Sequence, residues 1–259
     1  MSLISTLAAA RPIEHGFAAA IPESWMQGRT SYGGFSAALA LHGAQGLVPD
    51  LPPLRSAQVS FVGPLAGEVE VRSRVLRRGR NATWISTEVT SEAGVGLAAT
   101  FVFMGPVETS TLHLHEVPAP EGMIAPEDAI PLPEARGAGF TQHFDRRFAL
   151  PRSEVKRPDL AWWLRPKDRE GLDPMVSLML TGDALPPGVM PLLDTWVPVS
   201  SMTWIVNLLT PAPASRDGWM LVRSTGNYAE AGCSSQEMTI WNADGVALST
   251  GMQSIALFG

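Results

Sequence analysis

The stretches GGFSAALALHGAQ (33–45) and DPMVSLMLTGDAL (173–185) decide the fold, because nearly every position in both is apolar or small. Laid one over the other, they match two leucines and a glycine in the same order. A helix that is apolar nearly all round is a buried helix. A mainly antiparallel sheet can bury such a helix by wrapping round it. The two stretches therefore predict two α+β units, each with a helix inside a curled sheet.

Four strand-like segments follow each predicted helix, in the same order in both halves. In the N-terminal half they are SAQVSFVGP (56–64), VEVRSRVLRRG (69–79), TWISTEVTSE (83–92) and GVGLAAT (94–100). In the C-terminal half they are SMTWIVNLLTP (201–211), WMLVRSTGNYAEAG (219–232), SSQEMTIWNA (234–243) and GVALST (245–250). A glycine turn between the last two segments of each half is typical of a β-hairpin. We therefore predict an internal duplication of one helix-plus-sheet unit.

A polar segment with six prolines, residues 106–140, separates the two halves. It is too long for an ordinary connection inside a compact domain, so it either crosses the surface between the units or is partly disordered. The predicted organisation is an N-terminal unit over residues 1–105, this Pro-rich linker, and a C-terminal unit over residues 141–259.

Composition and charge exclude several classes of protein. A hydrophobic content of 45% over 259 residues supports a globular core. A net charge of -6 argues against a nucleic-acid binder, which presents a basic surface. The single cysteine, Cys233, excludes an intramolecular disulfide, so we expect a cytoplasmic location. No basic residues precede the short apolar stretch at the N-terminus, and nowhere do about 18 apolar residues run uninterrupted, so we expect neither export nor a membrane span. His113 and His115 have no further ligand at a suitable spacing, so we predict no metal site.

One local exception to the acidic charge is VRSRVLRRGRN (71–81), which carries five arginines in a strand-like context. The run is interpreted either as a solvated hairpin or as a site for an anionic, phosphate-bearing ligand. In the second interpretation, Arg78 and Arg80 are the candidates for substrate binding.

Two positions break the similarity between the halves. Asp183, at the end of the second predicted helix, matches Ala44, and Gln253 in the last strand matches Val102. A carboxylate and an amide in otherwise buried sequence are what an acid–base site needs. The alternative interpretation is that Asp183 caps the following turn and that Gln253 lies on a solvent-facing strand side. The repeat by itself leaves both interpretations open.

Eight motifs in this order, over roughly residues 15–258, resemble the acyl-CoA thioesterase II family of double hot-dog thioesterases. The motifs are TSYGGFSAALAL, PLRSAQVSFVGPLAGEVEV, VLRRGRNATWISTEV, WWLRPKD, GDALPP, GWMLVR, IWNADGVAL and MQS. The resemblance implies a tandem hot-dog fold, with two antiparallel sheets, each wrapped around a central helix, packed as one pseudo-dimer. It also implies hydrolysis of an acyl-CoA thioester to a free acid and CoA, without a metal or an organic cofactor.

The resemblance implies a site with an aspartate at the end of the second helix and a glutamine on the last strand. These roles carry over to Asp183 and Gln253. The family's hydroxyl residue does not carry over cleanly, because Val199 stands at its position, with Ser200 and Ser201 next. Side chains at i and i+2 share a strand face, so Ser201 could replace the missing hydroxyl, whereas Ser200 would need a one-residue slip.

The expected mechanism is general-base catalysis. Asp183, desolvated by neighbouring leucines and a methionine, would have a raised pKa and would take a proton from a water positioned by Gln253 and a serine. Direct attack by Asp183 to form an anhydride is the alternative route. The backbone of Gly33 and Gly34 is a candidate oxyanion hole, although the glycine pair can also serve only the close packing of helix against sheet.

Two other functions compete with hydrolysis. A hot-dog enoyl-CoA hydratase has a related signature, but here Leu185 replaces its asparagine and no histidine follows. A non-catalytic acyl-CoA binding module is favoured by Val199 and opposed by Asp183, because a buried carboxylate does not help to bind an anionic ligand. An open sheet edge would also favour self-association, so we predict a dimer or a larger homo-oligomer.

Overall fold

The structure is a computed structural model and describes residues 1–108, 113–133, 139–195 and 197–258. Two stretches of the predicted linker, residues 109–112 and 134–138, lie outside the described residues.

Two of the three α-helices in the described residues are the ones that the sequence predicts. The helices are α1 (Leu3–Ala8), α2 (Gly33–Leu47) and α3 (Pro174–Gly182). Helix α3 begins where Asp173 accepts hydrogen bonds from the backbone N–H groups of Met175 and Val176, both at 3.0 Å. It ends three residues earlier than predicted. Within the described residues, no helix is both long and apolar enough to span a membrane.

The strands follow the predicted duplication. Those of the N-terminal half are β1 (Arg11–Ile13), β2 (Gly16–Ala20), β3 (Met26–Gln27), β4 (Thr30–Ser31), β5 (Leu54–Phe61), β6 (Glu68–Arg78), β7 (Ala82–Ser91) and β8 (Gly94–Met104). Those of the C-terminal half are β9 (Phe144–Phe148), β10 (Asp159–Pro166), β11 (Val199–Leu208), β12 (Met220–Glu230), β13 (Cys233–Asn242) and β14 (Ala247–Leu257). The eight predicted segments are β5–β8 and β11–β14, so the predicted α+β content is confirmed.

The prediction of two separate sheets is wrong. The large strands form one antiparallel sheet in the order β1-β2-β6-β7-β8-β5-β11-β14-β13-β12-β10-β9. Its two halves meet where β5 pairs with β11, with Trp204 opposite Val59 and Val206 opposite Ala57. Each half would otherwise leave the backbone groups of β5 or β11 unpaired at an edge, and joining the edges satisfies these groups.

The open edge that motivated the oligomer prediction is largely closed. Strand β1 at one end is three residues long and contains Pro12. At the other end, the backbone N–H of Phe148 in β9 donates to the carbonyl of Ile130 in the linker. Self-association therefore stays a prediction, and a single monomeric species in sedimentation across the micromolar range would contradict it.

Helices α2 and α3 lie together on the inner face of the sheet and form the main core. Most residues of both helices are buried, including Phe35, Leu39 and Leu178, which are fully inaccessible. The Tyr32 hydroxyl donates a 2.7 Å hydrogen bond to the carbonyl of Leu180. This bond holds the beginning of α2 against the end of α3, and that junction positions the site.

The described part of the linker packs on the outer face of the C-terminal half. The indole N–H groups of Trp163 and Trp241 donate to the carbonyls of Ile124 at 2.8 Å and Val117 at 3.1 Å. Together with Leu221 these tryptophans form a second, smaller core. Of the two interpretations of the linker, its described residues fit the one in which it crosses the surface.

Candidate active site

The end of α3, the beginning of α2 and strand β14 meet around one carboxylate. Asp183 directly follows α3, and its Oδ1 accepts a 2.6 Å hydrogen bond from Nε2 of Gln253 on β14. The backbone N–H of Gly34, in the first turn of α2, donates to the same carboxylate. Gln253 is 4% exposed, so it does not lie on a solvent-facing strand side. The carboxylate of Asp183 thus accepts hydrogen bonds from strand β14 and helix α2. These contacts differ from those of a carboxylate that caps the turn after its own helix.

The two glycines at the start of α2 are required by close approach. A Cβ on Gly33 would lie 2.5 Å from Oδ2 of Asp183, and a Cβ on Gly34 would lie 2.6 Å from the carbonyl oxygen of Leu180. Both distances are far below van der Waals contact. Close packing at this junction therefore requires both glycines, and the backbone N–H of Gly34 already donates to Asp183.

The two serines of β11 lie in different places. The Oγ of Ser201 accepts a 2.9 Å hydrogen bond from Nε2 of Gln253, so Ser201 joins the site. Ser200 is exposed, and its hydroxyl donates at 3.5 Å to the carbonyl of Ser201. Neighbouring residues on a strand point to opposite faces, which is why Ser200 does not reach Gln253. Val199 lies opposite Leu257 at the beginning of β11.

The arginine hairpin is not brought to this site. Arg78 ends β6, Arg80 lies in the turn that follows, and both are exposed. Strands β7, β8 and β5 separate β6 from β11 in the sheet. The exposed position of the arginines agrees with the interpretation of a solvated hairpin. It does not support binding of a substrate in this site by Arg78 and Arg80 of the same chain.

Burial controls the ionisation of the site. Loss of solvent raises the pKa of Asp183 from 3.8 to about 7, against the opposing effect of the hydrogen bonds from Gln253 and Gly34. Burial, with the nearby charge of Asp183, also raises the pKa of Tyr32 well above its usual value, so Tyr32 stays neutral. A carboxyl group that titrates near neutral pH is suited to proton transfer.

Comparison with protein families decides the identity of the chain. The acyl-CoA thioesterase N-terminal domain matches residues 21–104, and the acyl-CoA thioesterase C-terminal domain matches residues 126–257. The chain belongs to the acyl-CoA thioesterase family. It is therefore a thioester hydrolase. The second match begins inside the predicted linker, and the predicted unit boundaries stay a prediction.

Solved structures share the fold of this thioesterase over its whole length. An acyl-CoA thioesterase II from Mycobacterium marinum covers 100% of this chain and 98% of its own, with 16% identity and a TM-score of 0.74. A protein described as a thioesterase II from Thermobifida fusca covers 99% and 97%, with 22% identity and a TM-score of 0.83. A hot-dog protein of unknown function from Alicyclobacillus acidocaldarius covers 100% and 99%, with 18% identity and a TM-score of 0.85. The thioesterase therefore has a hot-dog fold. No curated protein sequence matches it.

Sequence reasoning missed one buried glutamine of the thioesterase. Nε2 of Gln236, on β13, donates a 2.8 Å hydrogen bond to Oε1 of Gln253, and Gln236 is 1% exposed. The duplication contained a signal for this residue. Gln236 in the C-terminal half corresponds to Ile85, which is fully buried on β7. It is another place where a polar residue replaces an apolar one.

The match of Gln253 with Val102 is wrong by one residue. Gln253 lies opposite Gln236, and the corresponding Ile85 lies opposite Phe101. Phe101 is fully buried, as Gln253 nearly is, whereas Val102 points to the other face of β8. A one-residue shift moves a side chain to the other face of a sheet. Gln253 is still a polar residue at a position that is apolar in the N-terminal half, because Phe101 is apolar as well.

The raised pKa of Asp183 predicts how the stability of the thioesterase depends on pH. Below pH about 4 the carboxyl group is protonated in both the folded and the unfolded chain. Between about pH 4 and 7 only the unfolded chain ionises, so the free energy of unfolding falls by up to about 4 kcal/mol and then levels off. Urea unfolding at a series of pH values, for wild type and Asp183→Asn, should show this fall only in the wild type. If the free energies of unfolding of the two proteins changed with pH in parallel, the raised pKa of Asp183 would be contradicted.

Proposed function

We propose that the chain hydrolyses acyl-CoA thioesters to a free acid and CoA, with Asp183 as the general base that activates water. The observation that carries the proposal is the carboxylate of Asp183, held between Gln253 and Gly34 with a pKa of about 7. Near neutral pH a substantial fraction of Asp183 is ionised and can accept a proton from water. The water oxygen then attacks the thioester carbonyl, the C–S bond breaks, and the proton moves to the thiolate of CoA.

Ser201 is proposed to hold the water. Both hydrogens of the Gln253 amide are used, one on Asp183 and one on Ser201. Because the Oγ of Ser201 accepts from Gln253, its own O–H hydrogen remains available to a water or to the substrate. In this proposal Gln253 holds the base and the hydroxyl group in place, and Ser201 takes the role that Val199 cannot fill.

The oxyanion is proposed to form at the beginning of α2. The first N–H groups of a helix have no acceptor within the helix and present partial positive charge. The N–H of Gly34 is bonded to Asp183, which leaves the N–H of Gly33 as the candidate donor to the developing oxyanion. The Gly33 N–H is thus adjacent to the base that would deliver the nucleophile.

The first alternative is a non-catalytic acyl-CoA binding module. It was motivated by Val199, but the hydrogen bond between Gln253 and Ser201 supplies a hydroxyl group at the site and weakens that argument. The hydratase alternative needs a histidine to act with the aspartate. Among the described residues, the hydrogen-bond donors to Asp183 are Gln253 and Gly34. Neither alternative is favoured by an observation at the site.

A thiol-release assay with acyl-CoAs of short, medium and long chain tests the function. We expect the wild type to release CoA from at least one chain-length class. Measurable binding of acyl-CoA without release from any of them would instead favour the binding module.

The two serines make a matched pair of variants. Ser201→Ala is expected to lower kcat by about 10-fold to 100-fold. The variant loses the hydrogen bond to the attacking water, which gains negative charge as Asp183 takes its proton. Ser200→Ala should leave kcat unchanged, because Ser200 lies on the other face of β11. Steady-state kinetics of both purified variants measures the difference. Equal kcat values in the two variants would remove Ser201 from the mechanism.

A further inference from the structure

Gln236 connects the loop after α3 to the proposed catalytic residues. Its Oε1 accepts a 2.8 Å hydrogen bond from the backbone N–H of Gly188 and a 2.9 Å hydrogen bond from the hydroxyl of Ser224. Its Nε2 donates at 2.8 Å to Oε1 of Gln253. Gln236, Ser224 and Gly188 are all buried, so water does not compete for these bonds.

The hydrogen bond from Gly188 determines which atom donates and which accepts in the chain of hydrogen bonds from Gly188 to Asp183. A backbone N–H can only donate, so the oxygen of the Gln236 amide must face Gly188. The NH2 group of Gln236 must then face β14, where it requires an acceptor. Only the oxygen of the Gln253 amide can accept, which turns the NH2 group of Gln253 toward Asp183 and Ser201. One backbone donor thereby determines the orientation of two side-chain amides.

We propose that Gln236 is a positioning residue that fixes the amide of Gln253 with its NH2 group toward Asp183. The proposal rests on the proposed function for its catalytic consequence, but the orientation itself does not depend on turnover. Without Gln236, the Gln253 amide can rotate and present its oxygen to a protonated Asp183. With Gln236, a donor faces Asp183 permanently, and a donor favours the ionised form of a carboxyl group.

The surroundings of Asp183 allow this effect to be isolated. Among the described residues, Tyr32 at the beginning of α2 is the titratable group that couples to the Asp183 charge, and burial keeps it neutral. The other groups that act on Asp183 are the uncharged side chain of Gln253 on β14 and the backbone of Gly34 on α2. A change in the titration of Asp183 after substitution of Gln236 by an uncharged residue thus reports on the Gln253 amide.

A carboxyl titration tests the proposal without any substrate. The protein is labelled with 13C at aspartate carboxyl groups, and the Asp183 resonance is identified by its loss in Asp183→Asn. We expect Gln236→Met, which matches glutamine in size but cannot donate, to move the titration midpoint of Asp183 upward by at least about half a pH unit. Ser235→Ala, on the opposite face of β13, should leave the midpoint unchanged. An unchanged midpoint in folded Gln236→Met overturns the proposal.

Steady-state kinetics distinguishes an effect of Gln236 on the orientation of the Gln253 amide from an effect on packing alone. Gln236→Met should lower kcat at least about 2-fold at pH 7, because less of Asp183 is ionised, with KM nearly unchanged, since Gln236 is buried behind Gln253. Ser235→Ala serves again as the control, since Ser235 lies on the opposite face of β13. Wild-type kcat in folded Gln236→Met overturns the proposal, and a loss of kcat in Gln236→Met beside wild-type kcat in Ser235→Ala supports it. Failure of the proposed function looks different, because the wild type itself would then release no thiol.

Discussion

Asp183→Asn is expected to lower kcat/KM for acyl-CoA hydrolysis by about 10²-fold to 10⁴-fold, the range that a positioned general base contributes. Asparagine keeps the size of the side chain and an oxygen that can accept from Gln253. It cannot take a proton from water. Binding of acyl-CoA should therefore remain, and removal of the half-buried carboxyl group should relieve the fall in stability above pH 4.

Thiol release and equilibrium binding of the same acyl-CoA, measured on wild type and Asp183→Asn, check this expectation. Asp194→Asn is a matched control, since Asp194 is an exposed aspartate that pairs with Lys156 on the surface. It should retain wild-type kcat/KM. Wild-type activity in Asp183→Asn would remove the general base from the mechanism.

Gly34→Ala is expected to disrupt the site and the fold together. The new Cβ would lie 2.6 Å from the carbonyl oxygen of Leu180, in a core where neither helix can easily move. Overpacking of this kind costs roughly 1–3 kcal/mol or more. Separation of the beginning of α2 from the end of α3 would also break the hydrogen bond from Gly34 to Asp183. We expect a loss of activity of at least about 10²-fold in the fraction that folds.

Gly46 offers the matched control within the same helix. A Cβ on Gly46 meets nothing within 4 Å, so Gly46→Ala should stabilise α2 by up to about 1 kcal/mol through its higher helix propensity. Urea unfolding and thiol release of the two variants compare them directly. If Gly34→Ala proved as stable and as active as Gly46→Ala, the close contact between the two helices would not be needed.

The duplication carries most of what the sequence predicts. The two buried helices and the eight main strands follow from local patterns of apolar residues, which depend on a few neighbouring positions. Asp183 and Gln253 could be singled out because a copy of the same unit has Ala44 and an apolar strand residue where they stand. An alignment of the two halves therefore identifies these two residues as unusual, which the sequence of one unit alone could not do.

The remaining features depend on contacts between distant parts of the chain. The pairing of β5 with β11 merges the two sheets, and no local pattern in either strand specifies its partner. The choice between Ser200 and Ser201 depends on strand register, where one residue changes the face. Gln236 contacts Gln253 and not Asp183, so its place beside the site depends on the pairing of β13 with β14. The hydrogen bond from Gly188 could not be predicted, since it involves a backbone group in a loop.

The pH dependence of kcat/KM for the wild type tests the central claim most directly, because this ratio reports the pKa of the essential group in the free enzyme. Measured from pH 5 to 9 with a good acyl-CoA substrate, log kcat/KM should rise with a slope of one and level off above about pH 7. The midpoint should coincide with that of Asp183 in the carboxyl titration. A rate that is independent of pH over this range, or a midpoint near pH 4, would contradict Asp183 with a raised pKa as the general base.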